Sequence, residues 1–243
     1  MAVNHFRLTL APGQEVTLPA PGQFYMLGVT GGTDPLLKRP FSLFRLGKNG
    51  AINILYRVKG KATQMMTGLQ PGTVLDMLGP LGNGFPNIEG KRPIIVAGGL
   101  GVAPLTALAE SLRFDSPRIF VGARYAGDVL ATDILRAIDS DLSISTDDGS
   151  TGSQGLVTDA VDEYLESAGT SAQDHVIYGC GPRGMLKALA GLAGRYGVEG
   201  YVSLEEHMAC GVGACLGCVT KAAAGYRRIC KEGPVFRIGE VVL

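Results

Sequence analysis

The chain has 243 residues with 22 basic and 22 acidic side chains, so its formal net charge is zero. This length allows one large domain or two smaller ones and can bury a core without disulfides. The charge balance argues against a general nucleic-acid binder, which would carry a basic excess. The 36 glycines accompany 46% hydrophobic residues, a combination that excludes a disordered chain and indicates many tight turns and close backbone contacts.

The start of the chain predicts a protein without a signal peptide, because residues 1–10 have no cationic start followed by an apolar block. The longest apolar run, residues 94–109, is interrupted by glycine and proline and is shorter than the ~20 residues of a membrane span. We therefore expect a cytoplasmic protein. In that compartment, five cysteines favour metal ligands or catalytic groups over disulfides.

Residues 1–89 consist of short apolar runs separated by glycine and proline. Residues 24–29 and 52–58 are predicted strands, and turns are predicted at residues 21–22, 71–72 and 82–84. This density of turns favours a small antiparallel β-barrel as the first domain.

Residues 90–203 alternate between strand and helix patterns. The predicted strands are residues 94–97, 118–122, 142–146, 175–178 and 201–203. The predicted helices present apolar faces over residues 105–112, 130–138, 157–165 and 185–196. This alternation predicts an α/β domain with a parallel sheet covered by helices. Ligands of such domains lie past the carboxyl ends of the strands.

Residues 204–243 contain four cysteines in 21 residues, Cys210, Cys215, Cys218 and Cys230. The spacing C-x4-C-x2-C followed by a distant cysteine is that of plant-type iron–sulfur proteins. Glycines between the first three let the loop fold tightly and aim its amides at the sulfurs. The alternative is a zinc site, although structural zinc is usually held by two C-x2–4-C pairs. We expect the flanking Lys221, Arg227, Arg228 and Lys231 to form a solvated basic face, and His207 to be a packed histidine.

A second set of residues lies in the predicted barrel. Arg39, Pro40, Phe41 and Ser42 are placed at the end of a strand, where an arginine can grip a pyrophosphate and a serine can reach a ring nitrogen. Tyr56 is suited to stack on a flat ring, and Thr63 is predicted to cap a helix whose amides face a phosphate. An ordinary strand with a surface arginine and a capping threonine remains the alternative.

Two glycine-rich turns follow strands of the α/β domain. Residues 98–104 depart from the dinucleotide fingerprint G-x-G-x-x-G, because Pro104 stands where the last glycine belongs. A pyrophosphate still has access to the helix that follows. Arg124 stands where an acidic residue is usual, which suits a 2′-phosphate. Cys180, in the second turn, is either a small buried thiol or part of a nicotinamide site.

These motifs occur in the order found in the ferredoxin-reductase superfamily. Within it, the chain resembles the electron-transfer subunits of NAD-dependent (class 1B) dihydroorotate dehydrogenases, most specifically over residues 203–218. The resemblance implies an FAD-binding barrel (residues 1–89), an NAD-binding domain (90–203) and a 2Fe–2S segment (204–243). It implies that FAD is held by Arg39, Pro40, Phe41, Ser42, Tyr56, Arg57, Val58, Ala62 and Thr63. Gly99, Gly101, Cys180, Gly181 and Pro182 would face NAD, and Cys210, Cys215, Cys218 and Cys230 would bind the cluster.

The family also implies a mechanism and a partner. Dihydroorotate would be oxidised on a separate FMN subunit, in a heterotetramer with two copies of each chain, as part of pyrimidine biosynthesis. Electrons would pass through the cluster to FAD and then to NAD, so no catalytic acid or base is assigned here. Ala62 stands where the family more often has glycine.

Three alternative functions remain open on the sequence. The chain is also similar to FAD and 2Fe–2S reductase subunits of hydrogenases and ferredoxin:NADP oxidoreductases. The second alternative is a stand-alone reductase that serves a soluble acceptor. The third is a zinc-stabilised binding module without redox activity. A subunit, unlike a stand-alone reductase, is predicted to have an apolar docking face near the cluster.

Overall fold

A computed structural model describes residues 4–13, 17–29 and 34–243. The strands in this part of the chain are β1 (His5–Leu10), β2 (Phe24–Gly28), β3 (Arg39–Ser42), β4 (Arg45–Leu46), β5 (Ile52–Arg57), β6 (Asp76–Leu81), β7 (Arg92–Gly98), β8 (Arg118–Ala123), β9 (Ser143–Thr146), β10 (Ser153–Gln154), β11 (His175–Cys180), β12 (Glu199–Ser203), β13 (Val219–Ala222), β14 (Gly225–Arg228) and β15 (Val235–Arg237). The helices are α1 (Lys61–Met66), α2 (Val102–Ser111), α3 (Thr132–Arg136), α4 (Val157–Ala168), α5 (Arg183–Tyr196) and α6 (Ile229–Glu232).

The N-terminal strands form two antiparallel sheets of three strands, ordered β1-β5-β4 and β3-β2-β6. Only Leu43 and Phe44 separate β3 from β4, so the chain passes directly from the sheet β3-β2-β6 to the sheet β1-β5-β4. Both sheets enclose a core that includes Tyr25, Ile52 and Met66. The antiparallel barrel class is confirmed. Residues 1–3, 14–16 and 30–33 of the predicted first domain lie outside the described residues.

The central sheet has seven strands in the order β10-β9-β8-β7-β11-β12-β15. The five predicted strands are all present as β7, β8, β9, β11 and β12, and they are parallel. The short β10 and the antiparallel β15 were not predicted. Because β15 belongs to the cysteine-rich stretch, that stretch returns to the sheet and completes its edge.

Helices cover both faces of this sheet, as predicted. Side chains alternate along β7, so that Ile94 and Val96 face the core shared with α4 and α5. Ile95 and Ala97 face the core shared with α2. Cys218 and Cys230 are buried in the first of these cores, which anchors the cysteine-rich segment to the α/β domain.

The second predicted helix, over residues 130–138, is wrong in its extent. The helix α3 covers only Thr132–Arg136. Ala131 precedes it in a left-handed conformation with φ 59°, so Leu130 cannot belong to the same helix. Leu130 is nevertheless buried, because a side chain outside a helix can still reach the core. Among the described residues, no helix has the length and apolar character needed to cross a membrane.

Candidate functional site

A cavity of about 900 Å³ opens where the barrel, the α/β domain and the cysteine-rich segment meet. Strands β3 and β5 and the start of α1 form one wall. Leu100, just before α2, and Ala103 and Pro104, in the first turn of α2, also line the cavity, and residues 203–209 close the opposite side. Its position past the carboxyl ends of β7 and β12 is where parallel sheets place their ligands.

Most of the residues predicted to hold a flavin line this cavity. They are Arg39, Pro40, Phe41, Ser42, Tyr56, Arg57, Ala62 and Thr63. Val58 does not line it and packs instead against the barrel core. Residues 39–42 were placed at the end of a strand but form the whole of β3, paired with β2.

Tyr56 is buried, and one face of its ring is already covered. The Phe6 ring stacks on it at 5.7 Å between centroids, and the Phe41 ring meets it edge-on at 6.1 Å. Burial also raises the pKa of the Tyr56 phenol. A stacking role for Tyr56 is therefore limited to the part of the ring that reaches the cavity.

Thr63 was predicted to be the N-cap of a helix, and this is wrong. The N-cap of α1 is Gly60, and Thr63 occupies the third helical position. Its hydroxyl oxygen accepts hydrogen bonds from the backbone N–H groups of Lys59, at 2.9 Å, and Gly60, at 3.1 Å. The side chain thus fixes the turn that leads into the helix, at the edge of the cavity.

Basic side chains cluster along the barrel wall of the cavity: Lys38, Arg39, Arg57, Lys59 and Lys61. Lys38 is paired with Asp76 and Lys61 with Asp34. Positive charge here suits the diphosphate of a dinucleotide, and arginine offers a planar fork for it. With the apolar walls of Phe41 and Leu55, these residues fit FAD by size and charge.

The two glycine-rich turns after β7 and β11 touch each other. A Cβ at Gly98 would lie 2.7 Å from Pro182 Cδ, and a Cβ at Gly101 would lie 2.1 Å from the Cys180 carbonyl oxygen. Gly99 differs, because it has φ +54° and faces open space. The residues predicted to face NAD are Gly99, Gly101, Cys180, Gly181 and Pro182, and none of them lines the 900 Å³ cavity. They lie together beside it.

Cys180 is fully buried, and burial raises the pKa of its thiol well above the usual value. It therefore remains protonated at neutral pH and is not a nucleophile. Its backbone pairs with Ser203 of β12, which places it one strand away from the segment that closes the cavity.

That closing segment was not assigned to a ligand site from the sequence. Glu205, Glu206, His207 and Met208 all line the cavity, and His207 is exposed rather than packed, contrary to expectation. Glu206 accepts a 3.0 Å hydrogen bond from Arg183 of α5. Their position in the sequence could have indicated that they line a ligand site, because they follow the carboxyl end of a predicted parallel strand.

The four C-terminal cysteines are arranged as two pairs. The backbone N–H of Cys215 donates to Cys210 Sγ at 3.5 Å, and that of Cys230 donates to Cys218 Sγ at 3.4 Å. The N–H of Gly217 also donates to Cys215 Sγ, at 3.4 Å. Backbone amides lower the pKa of Cys210 to about 6, as expected for a thiolate ligand.

Cys230 has the opposite environment. Burial and the neighbouring Cys218 raise the pKa of its thiol to about 12. A bound metal ion overcomes such a barrier, because a coordinating thiol is deprotonated outright. Gly211 and Gly213 have positive φ, and a Cβ at Gly211 would lie 2.5 Å from Met26 Cγ, so the loop needs both glycines.

The pairwise arrangement bears on the kind of metal. No three His, Cys, Asp or Glu side chains of the described ranges converge closely enough to hold a single metal ion. A structural zinc site needs four ligands around one ion. A 2Fe–2S cluster has two irons and takes two cysteines at each, which the pairs Cys210–Cys215 and Cys218–Cys230 would provide.

Comparisons with known families match two parts of the chain. Residues 205–242 match the iron-sulfur cluster binding domain of dihydroorotate dehydrogenase B. Residues 95–190 match the oxidoreductase NAD-binding domain.

Curated relatives match the chain along its length. It is 39% identical over 228 residues to the dihydroorotate dehydrogenase B (NAD(+)) electron transfer subunit of Caldanaerobacter subterraneus subsp. tengcongensis, covering 92% of this chain and 87% of that one. The corresponding subunit of Bacillus caldolyticus is 40% identical, covering 100% and 95%.

Solved structures share the fold. The NADH-dependent reduced ferredoxin-NADP oxidoreductase superposes with a TM-score of 0.82 at 26% identity, covering 99% of this chain and 86% of the other. The ferredoxin reductase of carbazole 1,9a-dioxygenase superposes with a TM-score of 0.64 at 22% identity, which shows the fold alone.

Proposed function

Since the chain belongs to the family of electron transfer subunits of dihydroorotate dehydrogenase B (NAD(+)), we propose that it passes electrons from dihydroorotate to NAD in pyrimidine biosynthesis. It is an oxidoreductase subunit whose redox groups are a 2Fe–2S cluster, FAD and NAD. In this proposal dihydroorotate is oxidised on a separate, FMN-containing catalytic subunit.

One observation carries the proposal. Ala209 and Gly217 line the 900 Å³ cavity, which also contains the residues predicted to hold the flavin. Ala209 directly precedes the predicted cluster ligand Cys210, and Gly217 directly precedes Cys218. The cavity and the cysteine loop thus share a wall. Electron transfer between two redox groups requires such proximity, whereas a zinc-stabilised binding module does not.

The roles of the side chains follow from their positions. Arg39 and Arg57 bind the FAD diphosphate, and Pro40, Phe41, Ser42, Tyr56, Ala62 and Thr63 shape the walls around it. When bound, a flavin takes up electrons one at a time and delivers two as a hydride. The turns at Gly99, Gly101 and residues 180–182 orient the nicotinamide nucleotide. The chain positions these groups, and no general acid or base is needed.

The partner is proposed to dock beside the cluster. Val212 and Leu216, in the cysteine loop, are 48% and 60% exposed. Exposed apolar side chains around a redox group are typical of a surface that a partner covers. We propose a heterotetramer with two copies of each subunit, located in the cytoplasm.

The test uses the complex purified anaerobically from the native host. Dihydroorotate should bleach the flavin and iron–sulfur absorption bands. In a Cys230→Ser complex, NADH should still reduce FAD, whereas reduction of FAD by dihydroorotate should be lost. Reduction of the wild-type complex by NADH but not by dihydroorotate would reject the pathway.

The likeness to the NADH-dependent reduced ferredoxin-NADP oxidoreductase supports a second candidate, a reductase subunit of another complex. The same experiment separates the two. Bleaching by reduced ferredoxin, with none by dihydroorotate, is the result expected of that alternative.

A further inference from the structure

Arg228 and Glu232 form a close ion pair at the base of the cysteine loop. Arg228 Nε lies 3.0 and 3.1 Å from the two carboxylate oxygens, and its terminal nitrogen also contacts Glu232. The side chains are 32% and 30% exposed, so solvent screens the pair only in part. The sequence predicted a solvated basic residue at this position.

The guanidinium of Arg228 also holds the loop that carries the first three cysteines. Its Nη1 donates to the carbonyl oxygen of Gly213 at 3.2 Å. Gly213 is buried with φ +82° and lies between Cys210 and Cys215. A charged donor is thus fixed to the middle of the predicted cluster loop.

On its other side, the pair is tied to the fourth cysteine. Glu232 accepts a 2.7 Å hydrogen bond from the backbone N–H of Arg228, which shapes the short helix carrying Cys230. The N–H of Ile229 donates to the Cys218 carbonyl at 3.0 Å. One positive and one negative charge therefore lie beside both halves of the predicted cluster site.

We propose that Arg228 and Glu232 are positioning residues that set the reduction potential of the cluster in opposite directions. The inference rests on the proposed function, since it requires the four cysteines to bind a 2Fe–2S cluster. Reduction adds one electron, and therefore one negative charge, to the cluster. The guanidinium favours that charge and the carboxylate opposes it.

The test compares Arg228→Gln with Glu232→Gln in the full chain carrying its cluster. The midpoint potential is measured by mediated titration with dithionite, in which one electron enters the cluster and no bond in the chain changes. Arg228→Gln should lower the equilibrium constant for reduction by about tenfold, about 59 mV for one electron. Glu232→Gln should raise it by a similar factor. Arg228→Lys keeps the charge and should stay close to the wild type.

Both glutamine variants break the same ion pair, so loss of structure alone would move the two potentials in the same direction. Arg195→Gln is the matched control, because it breaks the Arg195–Asp162 pair between α5 and α4. Its potential should be unchanged. Equal shifts of the midpoint potential in the two variants, or no shift in either, would overturn the proposal. If Arg228→Gln loses its cluster, the proposal still requires a higher midpoint potential in Glu232→Gln. Iron and sulfide content and the electron paramagnetic resonance signal, measured on the wild type, test the cluster itself.

Discussion

A Cβ at Gly101 would stand 2.1 Å from the carbonyl oxygen of Cys180, so the turns after two neighbouring parallel strands are in backbone contact. Glycine at this position is explained by that contact before any ligand is considered. Gly99, two residues earlier, meets no atom within 4 Å and faces open space. Within this motif, therefore, Gly101 is required by close backbone packing, whereas Gly99 borders open space.

This difference predicts unequal effects of two substitutions. Gly101→Ala forces two backbones apart and should destabilise the chain by about 1–3 kcal/mol, as overpacking does. Gly99→Ala adds only the cost of a left-handed alanine, about 1 kcal/mol. Thermal unfolding of the two variants measures the difference. A Gly101→Ala variant as stable as Gly99→Ala would contradict the packing explanation.

The five cysteines are predicted to divide into four ligands and one bystander. Cys230→Ser should lose the cluster, because it removes the thiolate of one of the four predicted ligands, although the backbone N–H that donates to Cys218 Sγ remains. Cys180→Ser should keep it, although Cys180 is just as buried. The content of iron and acid-labile sulfide per chain shows which of the two variants keeps the cluster. Loss of iron in Cys180→Ser would mean that the ligand set has been assigned wrongly.

The features that the sequence predicted well are local ones. The C-x4-C-x2-C spacing and each of the five parallel strands lie within a few consecutive residues, whereas residues 39–42 form a whole strand and not the end of one. The features that it missed depend on distant segments. Strand β15 pairs with β12 only because the cysteine segment returns to the sheet. The exposed His207 lines the 900 Å³ cavity because β12 ends there. Arg228 donates to the carbonyl oxygen of Gly213, fifteen positions earlier in the sequence.

Two buried tyrosines predict opposite effects of losing a hydroxyl. Among the buried side-chain atoms of the described residues, the Tyr25 hydroxyl has no hydrogen-bond partner. Tyr25→Phe should therefore be neutral or stabilise the chain by about 1 kcal/mol. The Tyr178 hydroxyl donates to the Pro86 carbonyl at 2.8 Å. Tyr178→Phe leaves that carbonyl unpaired and should cost about 1 kcal/mol. Urea unfolding measures both, and equal signs would contradict the assignment.

The same tyrosines predict a loss of stability at alkaline pH. Burial raises the pKa of Tyr25 and of Tyr178 from 10.0 to about 12. A raised pKa means that the folded chain holds the proton more tightly than the unfolded chain does. The resulting stabilisation is complete below pH 10 and is lost as the pH rises towards 12. The unfolding temperature of the wild type should therefore fall more steeply between pH 10 and 12 than that of a Tyr25→Phe, Tyr178→Phe double variant. Parallel curves would show that these phenols do not titrate on unfolding.

Leu216 has an exposed side chain and a strained backbone, so we expect a substitution there to weaken binding of the partner without lowering the stability of the chain. The residue is 60% exposed and has φ +57°, a left-handed conformation that leucine rarely adopts. Asparagine tolerates that conformation, so Leu216→Asn should leave the unfolding temperature of the isolated chain unchanged or raise it. It should weaken binding to the catalytic partner by about tenfold, as removal of an apolar anchor costs about 1–2 kcal/mol. Tyr226→Asn, on the β13–β14 hairpin, is a control for exposure alone, since Tyr226 is 70% exposed. A strained, exposed leucine destabilises the free chain. Burial of its side chain against the partner would offset that strain in the complex. Unchanged partner affinity in Leu216→Asn would move the docking face away from the cysteine loop.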